Sequence, residues 1–571
     1  MIKSPSTTGT NAKLSTDASH SVSLTNHRPT MSRCLLSVAI ASSLLLVGCG
    51  DDDNDIIVRN DTSVESISSF NAAQIDSQFG LNGTATPDAK CDINIEKVSY
   101  STVGAAGERT NTTAALMLPS GDSADCQGDR PILLYAHGTT TDRDYDFSQV
   151  GNALNSGSAE ANLIAANFAA QGYIVVAPNY AGYDDSELDY HPYLVAEQQA
   201  TDMADALDSA REIIARQKRA NDSDYVSIDD SGKLFISGYS QGGHVAMATA
   251  RKLEQEGKSV TAIAPSSGPY ALAAFGDAIF AGNVNIGATR FAPLLADGMQ
   301  KKYGNIYSNP TDIFTADYAN TQLPSLLSFE ELVAANKLPD NALFEAKPTD
   351  NPLINQLPDS DLPFAFLGFA DDNYLIKTDF RAAYVADALQ NQDQLIAGTG
   401  ALPAQNPQNS MRKALKDNDL RDYVPNMPTL LCGGNQDPTV FYDLNTGSMA
   451  AILQQASAAP NANLNVTVLN VDVRNNRGEV TPIGDSAMSN PWMSTTVIDD
   501  VQDRFSTTLT AVQNNAIANA QAAGVTDPTA LAQAAGAAIL SSYHGGLVSS
   551  ACTQATREFF EQNFNSSVNP T

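Results

Sequence analysis

The sequence predicts an α/β chain: one mostly parallel sheet with helices on both faces, interrupted by two helical insertions. Three observations carry this. Short, near-continuous apolar runs alternate with helical stretches through the first half of the chain, the pattern of strands buried on both faces. The alternation stops near residue 270, resumes near 425, and is broken again over 476–540. A strand-to-helix junction carries the sequence G-x-S-x-G at Gly238-Tyr239-Ser240-Gln241-Gly242.

Taken in order, Asp92 to Thr102 and Thr112 to Leu118 read as a strand pair around a Gly-containing turn. Pro131 to Ala136 is a buried strand, Ala161 to Ala170 an apolar helix and Tyr173 to Ala177 the next strand. An amphipathic helix runs from about Glu197 to Lys218, with Met203, Leu207, Ile213 and Ile214 among its apolar positions. Lys233 to Ser237, a helix from about Gln241 to Gln255, and Ser259 to Ala264 continue the rhythm. Strands resume at Pro428 to Cys432 and Asn463 to Val471, and Ser549 to Phe564 is a closing helix. The expected organisation is a signal region over 1–48, a tether and N-terminal segment over 49–90, core over 91–269 and a cap or lid over 270–425. Core over 426–475, a helical insertion over 476–540 and a core C-terminus over 541–571 follow.

Charge and the N-terminal region bound the setting. The chain of 571 residues holds 33 Lys+Arg against 64 Asp+Glu, a formal charge of −31. Such a surface cannot release phosphate counterions, which excludes a nucleic-acid partner. Met31-Ser32-Arg33, an apolar run from Cys34 to Val47 and Leu46-Val47-Gly48-Cys49 form a secretory signal. It resembles a bacterial lipoprotein signal, with Met31 as the expected start and Cys49 as the lipidated residue. The expected product is an exported lipoprotein anchored to the outer membrane in preference to the inner one, facing the periplasm or exterior. Removing 1–48 takes away Lys3, Lys13, Arg28 and Arg33 against Asp17, which leaves 29 basic and 63 acidic residues and a charge of −34. Cys91, Cys126, Cys432 and Cys552 remain, an even number that suggests two disulfides with three alternative pairings.

The chemistry starts from Ser240. At a sharp strand-to-helix turn its hydroxyl is pushed out at the carboxyl edge of the sheet, and Gly238 and Gly242 keep strand and helix from colliding. A serine hydroxyl needs a base. Beyond residue 48 the chain offers only His137, His191, His244 and His544. His244 travels with the helix that starts at the elbow, His137 follows a strand in a His-Gly-Thr-Thr loop, and His191 precedes the long helix. His544, in Tyr543-His544-Gly545-Gly546, stands before the closing helix where a loop can deliver it to Ser240. The acid that orients the base falls between nucleophile and histidine in this chain order. Asp437 fits, directly after a strand and the turn-forming Gly433-Gly434, with Asp443 as its competitor. Oxyanion donors are expected from the amide of Gln241 and from the Gly138–Thr139 turn, Thr139 being favoured over Gly138. No metal or organic cofactor is required.

These residues resemble the α/β-hydrolase superfamily over about 92–270 and 425–565. More narrowly, over 131–250, they resemble the secretory lipases of the lipase A type. The closer resemblance rests on the His-Gly-Thr-Thr loop, Ala177-Pro178-Asn179-Tyr180-Ala181-Gly182-Tyr183, His191-Pro192-Tyr193-Leu194 and Gly-Tyr-Ser-Gln-Gly-Gly. It implies hydrolysis of carboxylic esters, lipids among them, and a helical cap where 270–425 stands. The chain departs from it in placing 107 positions between Asp437 and His544, where a few dozen are usual. The implied fold pairs Cys91 with Cys126, flanking the first strand pair, and Cys432 with Cys552, linking the acid and base loops. The rival readings are a serine peptidase of the same fold and a non-catalytic surface-binding lipoprotein. Oligomeric state is left open.

Overall fold

A computed structural model describes residues 62–79, 86–345, 367–396, 400–457, 466–473 and 493–565. The signal region, Met31 and Cys49 lie outside the described residues, as does the stretch 474–492. Nine strands form the main sheet: β1 (Ser63–Phe70), β2 (Asp92–Val103), β3 (Arg109–Ser120), β4 (Gly128–Ala136), β5 (Ile174–Pro178), β6 (Ile228–Tyr239), β7 (Ala262–Ser266), β8 (Thr429–Gly433) and β9 (Val466–Asn470). Their spatial order is β1-β2-β3-β5-β4-β6-β7-β8-β9. The first three strands and the β3–β5 pair are antiparallel, and β5, β4, β6, β7, β8 and β9 run parallel. Every residue of β5, β7, β8 and β9 is buried, as strands covered on both faces must be.

The helices that cover this sheet are α1 (Ala72–Gln78), α2 (Ser158–Asn167), α3 (Ala196–Arg219) and α4 (Gln241–Gln255), with α13 (Ser549–Asn565) closing the chain. Helix α3 carries Glu197 in its first turn and Arg216, Lys218 and Arg219 in its last, charges that complement its dipole at both ends. The chain passes from β4 to β5 on one side and returns to β6 on the other. That reversal opens a crevice at the carboxyl ends of β4 and β6, the usual place for a site in such sheets.

Strand β1 falls in the stretch read from sequence as a tether and N-terminal segment. Its residues Val64, Ile67 and Phe70 pack against the main core at intervals of three, because a register shift between Ser66 and Ser68 interrupts the pleat. A two-residue alternation is therefore absent from the sequence. Between β7 and β8 stand α5 (Leu272–Ala281), α6 (Ala288–Tyr303), α7 (Phe329–Ala334), α8 (Thr378–Gln390) and α9 (Ser410–Asp417). They share a second apolar cluster that includes Leu272, Leu294, Met299, Tyr384 and Leu415. Buried Arg412 ties three of these helices together, reaching Asp277 at 2.7 Å and Asp387 at 2.9 Å. Both carboxylates satisfy a guanidinium that would be costly to bury alone.

Helix α10 (Ser448–Ser457) follows β8, and α11 (Thr495–Ala522) and α12 (Pro528–Ser542) follow β9. These last two pack against each other within the stretch read as a helical insertion, and Asp527 caps the second of them with Pro528 at its first position. No described helix is long and apolar enough to cross a membrane. Cys91 is bonded to Cys126, and Cys432 to Cys552.

Candidate active site

Ser240 stands between β6 and α4 with φ 59° and ψ −123°, a conformation a non-glycine residue adopts only where its surroundings enforce it. The enforcement is visible at Gly242, where a Cβ would lie 1.9 Å from the carbonyl oxygen of Ala136 at the end of β4. The Ser240 amide donates to the Ser266 carbonyl at 3.0 Å, which fixes the turn to β7. Its hydroxyl is left pointing into the crevice.

Three residues from separate parts of the chain meet there. Ser240 Oγ lies 2.8 Å from His544 Nε2, and His544 Nδ1 lies 2.6 Å from Asp437 Oδ2. The other Asp437 oxygen accepts the amides of Thr439 at 2.9 Å and Val440 at 3.1 Å. With the carboxylate thus held, Nδ1 donates to Asp437 and Nε2 is left to accept a hydrogen bond from the Ser240 hydroxyl. Asp443 is exposed, in the π-helical turn Asp443–Gly447, away from this arrangement. His544 occupies a π-helical turn, Tyr543–Val548, between α12 and α13, and not the open loop expected from sequence. Among the described residues no group of three His, Cys, Asp or Glu side chains could hold a metal ion.

The oxyanion side separates the two candidates in the Gly138–Thr139 turn. The Gly138 amide donates to both carboxylate oxygens of Glu160, at 3.2 and 3.3 Å, an acceptor that competes with any oxyanion for it. The Thr139 amide has no such acceptor among the described residues, and its hydroxyl is 2.9 Å from the Tyr193 hydroxyl. Gln241 opens α4, so its amide has no partner within its own helix. Its side chain donates to His191 Nε2 at 2.7 Å, while His191 Nδ1 donates to the Ala181 carbonyl at 2.9 Å.

The other histidines among the described residues are buried and neutral. Burial pushes His191 down to about 3 and both His137 and His244 to about 4. His137 is stacked between Tyr145 and Tyr180, and His244 Nε2 donates to the Asn418 carbonyl at 2.8 Å. Glu160, Tyr193 and Tyr239 also surround the candidate site; Tyr239 is a variable position of G-x-S-x-G and Tyr193 lies in His191-Pro192-Tyr193-Leu194, but neither pattern specifies a role for it, and Glu160 sits in no motif. Ser240 and Gln241 open onto a cavity of about 90 Å³ beneath the inserted helices, lined by Leu272, Phe275, Phe280, Leu295, Phe380 and Leu415 among other apolar side chains.

Comparison with known proteins agrees with this architecture. The dienelactone hydrolase family model matches residues 152–269. The ligand-bound form of the rice cell wall degrading esterase LipA from Xanthomonas oryzae is 25% identical, with a TM-score of 0.54 over 77% of this chain and 96% of that one. A putative hydrolase from Legionella pneumophila is 20% identical, with a TM-score of 0.50 over 72% of this chain and 91% of that one. No curated protein shows significant similarity to the chain. The chain has the α/β-hydrolase fold and resembles bacterial esterase and hydrolase structures built on it.

Proposed function

We propose that the protein is a serine esterase or lipase that cleaves carboxylic esters through an acyl-enzyme. The observation that carries this is the chain of contacts from Ser240 Oγ to His544 Nε2 and from His544 Nδ1 to Asp437. In this reading His544 removes the Ser240 proton as Oγ attacks the ester carbonyl. Asp437 holds the imidazolium, and the Gln241 and Thr139 amides receive the developing oxyanion. His544 then protonates the departing alcohol, activates a water molecule, and returns the proton to Ser240 as the acid leaves. The resemblance to LipA from Xanthomonas oryzae, an esterase by its description, supports the same reaction class.

The cavity supports an apolar acyl group, because its walls offer hydrocarbon and hardly any hydrogen-bonding partner to a polar one. Export and lipid attachment through Cys49 rest on the sequence of residues 31–49 alone. The test is a panel of esters of increasing acyl length beside peptide substrates, on wild type and Ser240→Ala. Each methylene that enters the cavity adds about 0.8 kcal/mol, or roughly fourfold in kcat/KM, until the cavity is full. Ester turnover that survives Ser240→Ala refutes the mechanism. Preferred peptide cleavage favours the peptidase, and no turnover of any substrate favours a binding protein.

A further inference from the structure

We infer that Tyr239, the residue before the proposed nucleophile, is the positioning residue that holds the proposed base; this rests on the esterase reading above. His544 is separated from Ser240 by 304 positions and reaches it from a turn whose next two residues, Gly545 and Gly546, are exposed. Such a turn needs anchors if its imidazole is to stay within hydrogen-bond reach of a serine on another element. The Tyr239 hydroxyl donates to the His544 carbonyl at 2.6 Å, across 305 positions. The same oxygen lies 3.3 Å from His544 Nδ1. The two rings pack with centroids 5.0 Å apart and planes at 41°.

Tyr239 is the last residue of β6 and only 6% exposed, so the rigid strand that presents Ser240 also presents the clamp. Burial pushes its phenol well above the ordinary tyrosine range, which keeps the proton available for the His544 carbonyl. On the other flank, the Tyr543 hydroxyl donates to Asp472 at 2.5 Å and accepts the Gln436 amide at 3.0 Å. Tyr543 thus ties the base turn to the acid loop, and Tyr239 ties it to the nucleophile strand. When His544 becomes an imidazolium, Nδ1–H faces Asp437 with the Tyr239 oxygen as a second, longer acceptor. The clamp therefore acts on the charged state formed during the reaction as well as on the resting geometry.

The experiment is Tyr239→Phe in the full chain, which removes one oxygen atom and preserves the packing. Losing the buried hydrogen bond that places the imidazole should lower kcat by about tenfold. KM for a short-chain ester should hold, because Tyr239 is not among the residues lining the cavity. The far-downfield Nδ1 proton resonance of the His544–Asp437 pair should shift or broaden, a change that loss of packing elsewhere would not produce. An amino group in place of the hydroxyl at position 239 restores a donor and should recover most of the lost kcat. A kcat within twofold of wild type with an unchanged resonance, or a rise in KM alone, overturns the clamp. Inactive Ser240→Ala beside a wild-type-like Tyr239→Phe overturns the clamp only, whereas an active Ser240→Ala overturns the nucleophile and the clamp with it.

Discussion

Asp437→Asn tests the proposed acid more sharply than its removal, because the structure dictates which way the amide must face. One carboxylate oxygen accepts the amides of Thr439 and Val440, at 2.9 and 3.1 Å. Turning an NH₂ group toward those two donors would leave them unpaired, at about 1–3 kcal/mol each. The Asn oxygen therefore stays with the backbone and its nitrogen faces His544 Nδ1, now 2.6 Å from Oδ2. A donor there forces the ring proton to Nε2, 2.8 Å from Ser240 Oγ, where it blocks proton removal. Wrong tautomers of this kind lower kcat by about 10⁴, or ~5.4 kcal/mol of transition-state stabilisation. Folding stability should change by less than about 1 kcal/mol, since the two backbone contacts persist. Steady-state hydrolysis of a saturating short-chain ester gives kcat, and urea unfolding gives stability. Asp437→Asn activity above about one-hundredth of wild type would refute the tautomer argument and direct attention to Asp443.

Gly242→Ala should abolish activity, because its Cβ would sit 1.9 Å from the Ala136 carbonyl oxygen and α4 must move away from the oxyanion turn; a soluble variant with wild-type kcat would contradict this. His244 titrates at about 4 when folded, below its ordinary 6.5, because it is buried. Its contribution is therefore complete above pH 6.5 and is lost at about 1.4 kcal/mol per pH unit as pH falls toward 4. His244→Gln, which can still donate to Asn418, should unfold more easily than wild type at pH 8. That gap should close steadily below pH 6.5 in denaturation curves, and a constant gap would count against a buried neutral imidazole. Replacing both Cys432 and Cys552 by Ala removes a cross-link spanning 120 positions and should lower stability by about 2–5 kcal/mol; urea unfolding with a loss under 1 kcal/mol would show that the link constrains little.

What could be read from the chain was what local chemistry dictates. The elbow at Ser240 needs glycines two residues away on either side, and the helix Gln241–Gln255 that follows it has the predicted ends. The parallel strands were legible because burial on both faces leaves them no polar alternation. Strand β1 was hidden because its bulge removes the alternation that would mark it. Glu160 was hidden for a different reason. It engages the Gly138 amide across 22 positions from an otherwise Ala-rich helix, and no spacing rule joins a first-turn glutamate to a turn after another strand. The cavity was equally unreadable, since an apolar residue in 270–425 looks the same whether it fills the second core or lines empty space.

The long interval between Asp437 and His544 becomes intelligible from the contacts that bracket it. The base turn is fixed at both ends by elements outside the insertion: Cys432–Cys552 joins β8 to α13, Tyr543 reaches Asp472 and Gln436, and Tyr239 holds the His544 carbonyl. Helix α11 adds the packing of Phe505 edge-on to the Tyr543 ring, centroids 5.7 Å apart, and α12 leads into the turn. Because loop-closure entropy grows slowly with length, an insertion between two pinned points costs little provided the pins remain. The geometry at Ser240 thus depends on a few long-range contacts, not on the length of chain between acid and base. On this reasoning, shortening the α11–α12 pair on the far side of Phe505 should disturb the site far less than losing Tyr239 or Tyr543.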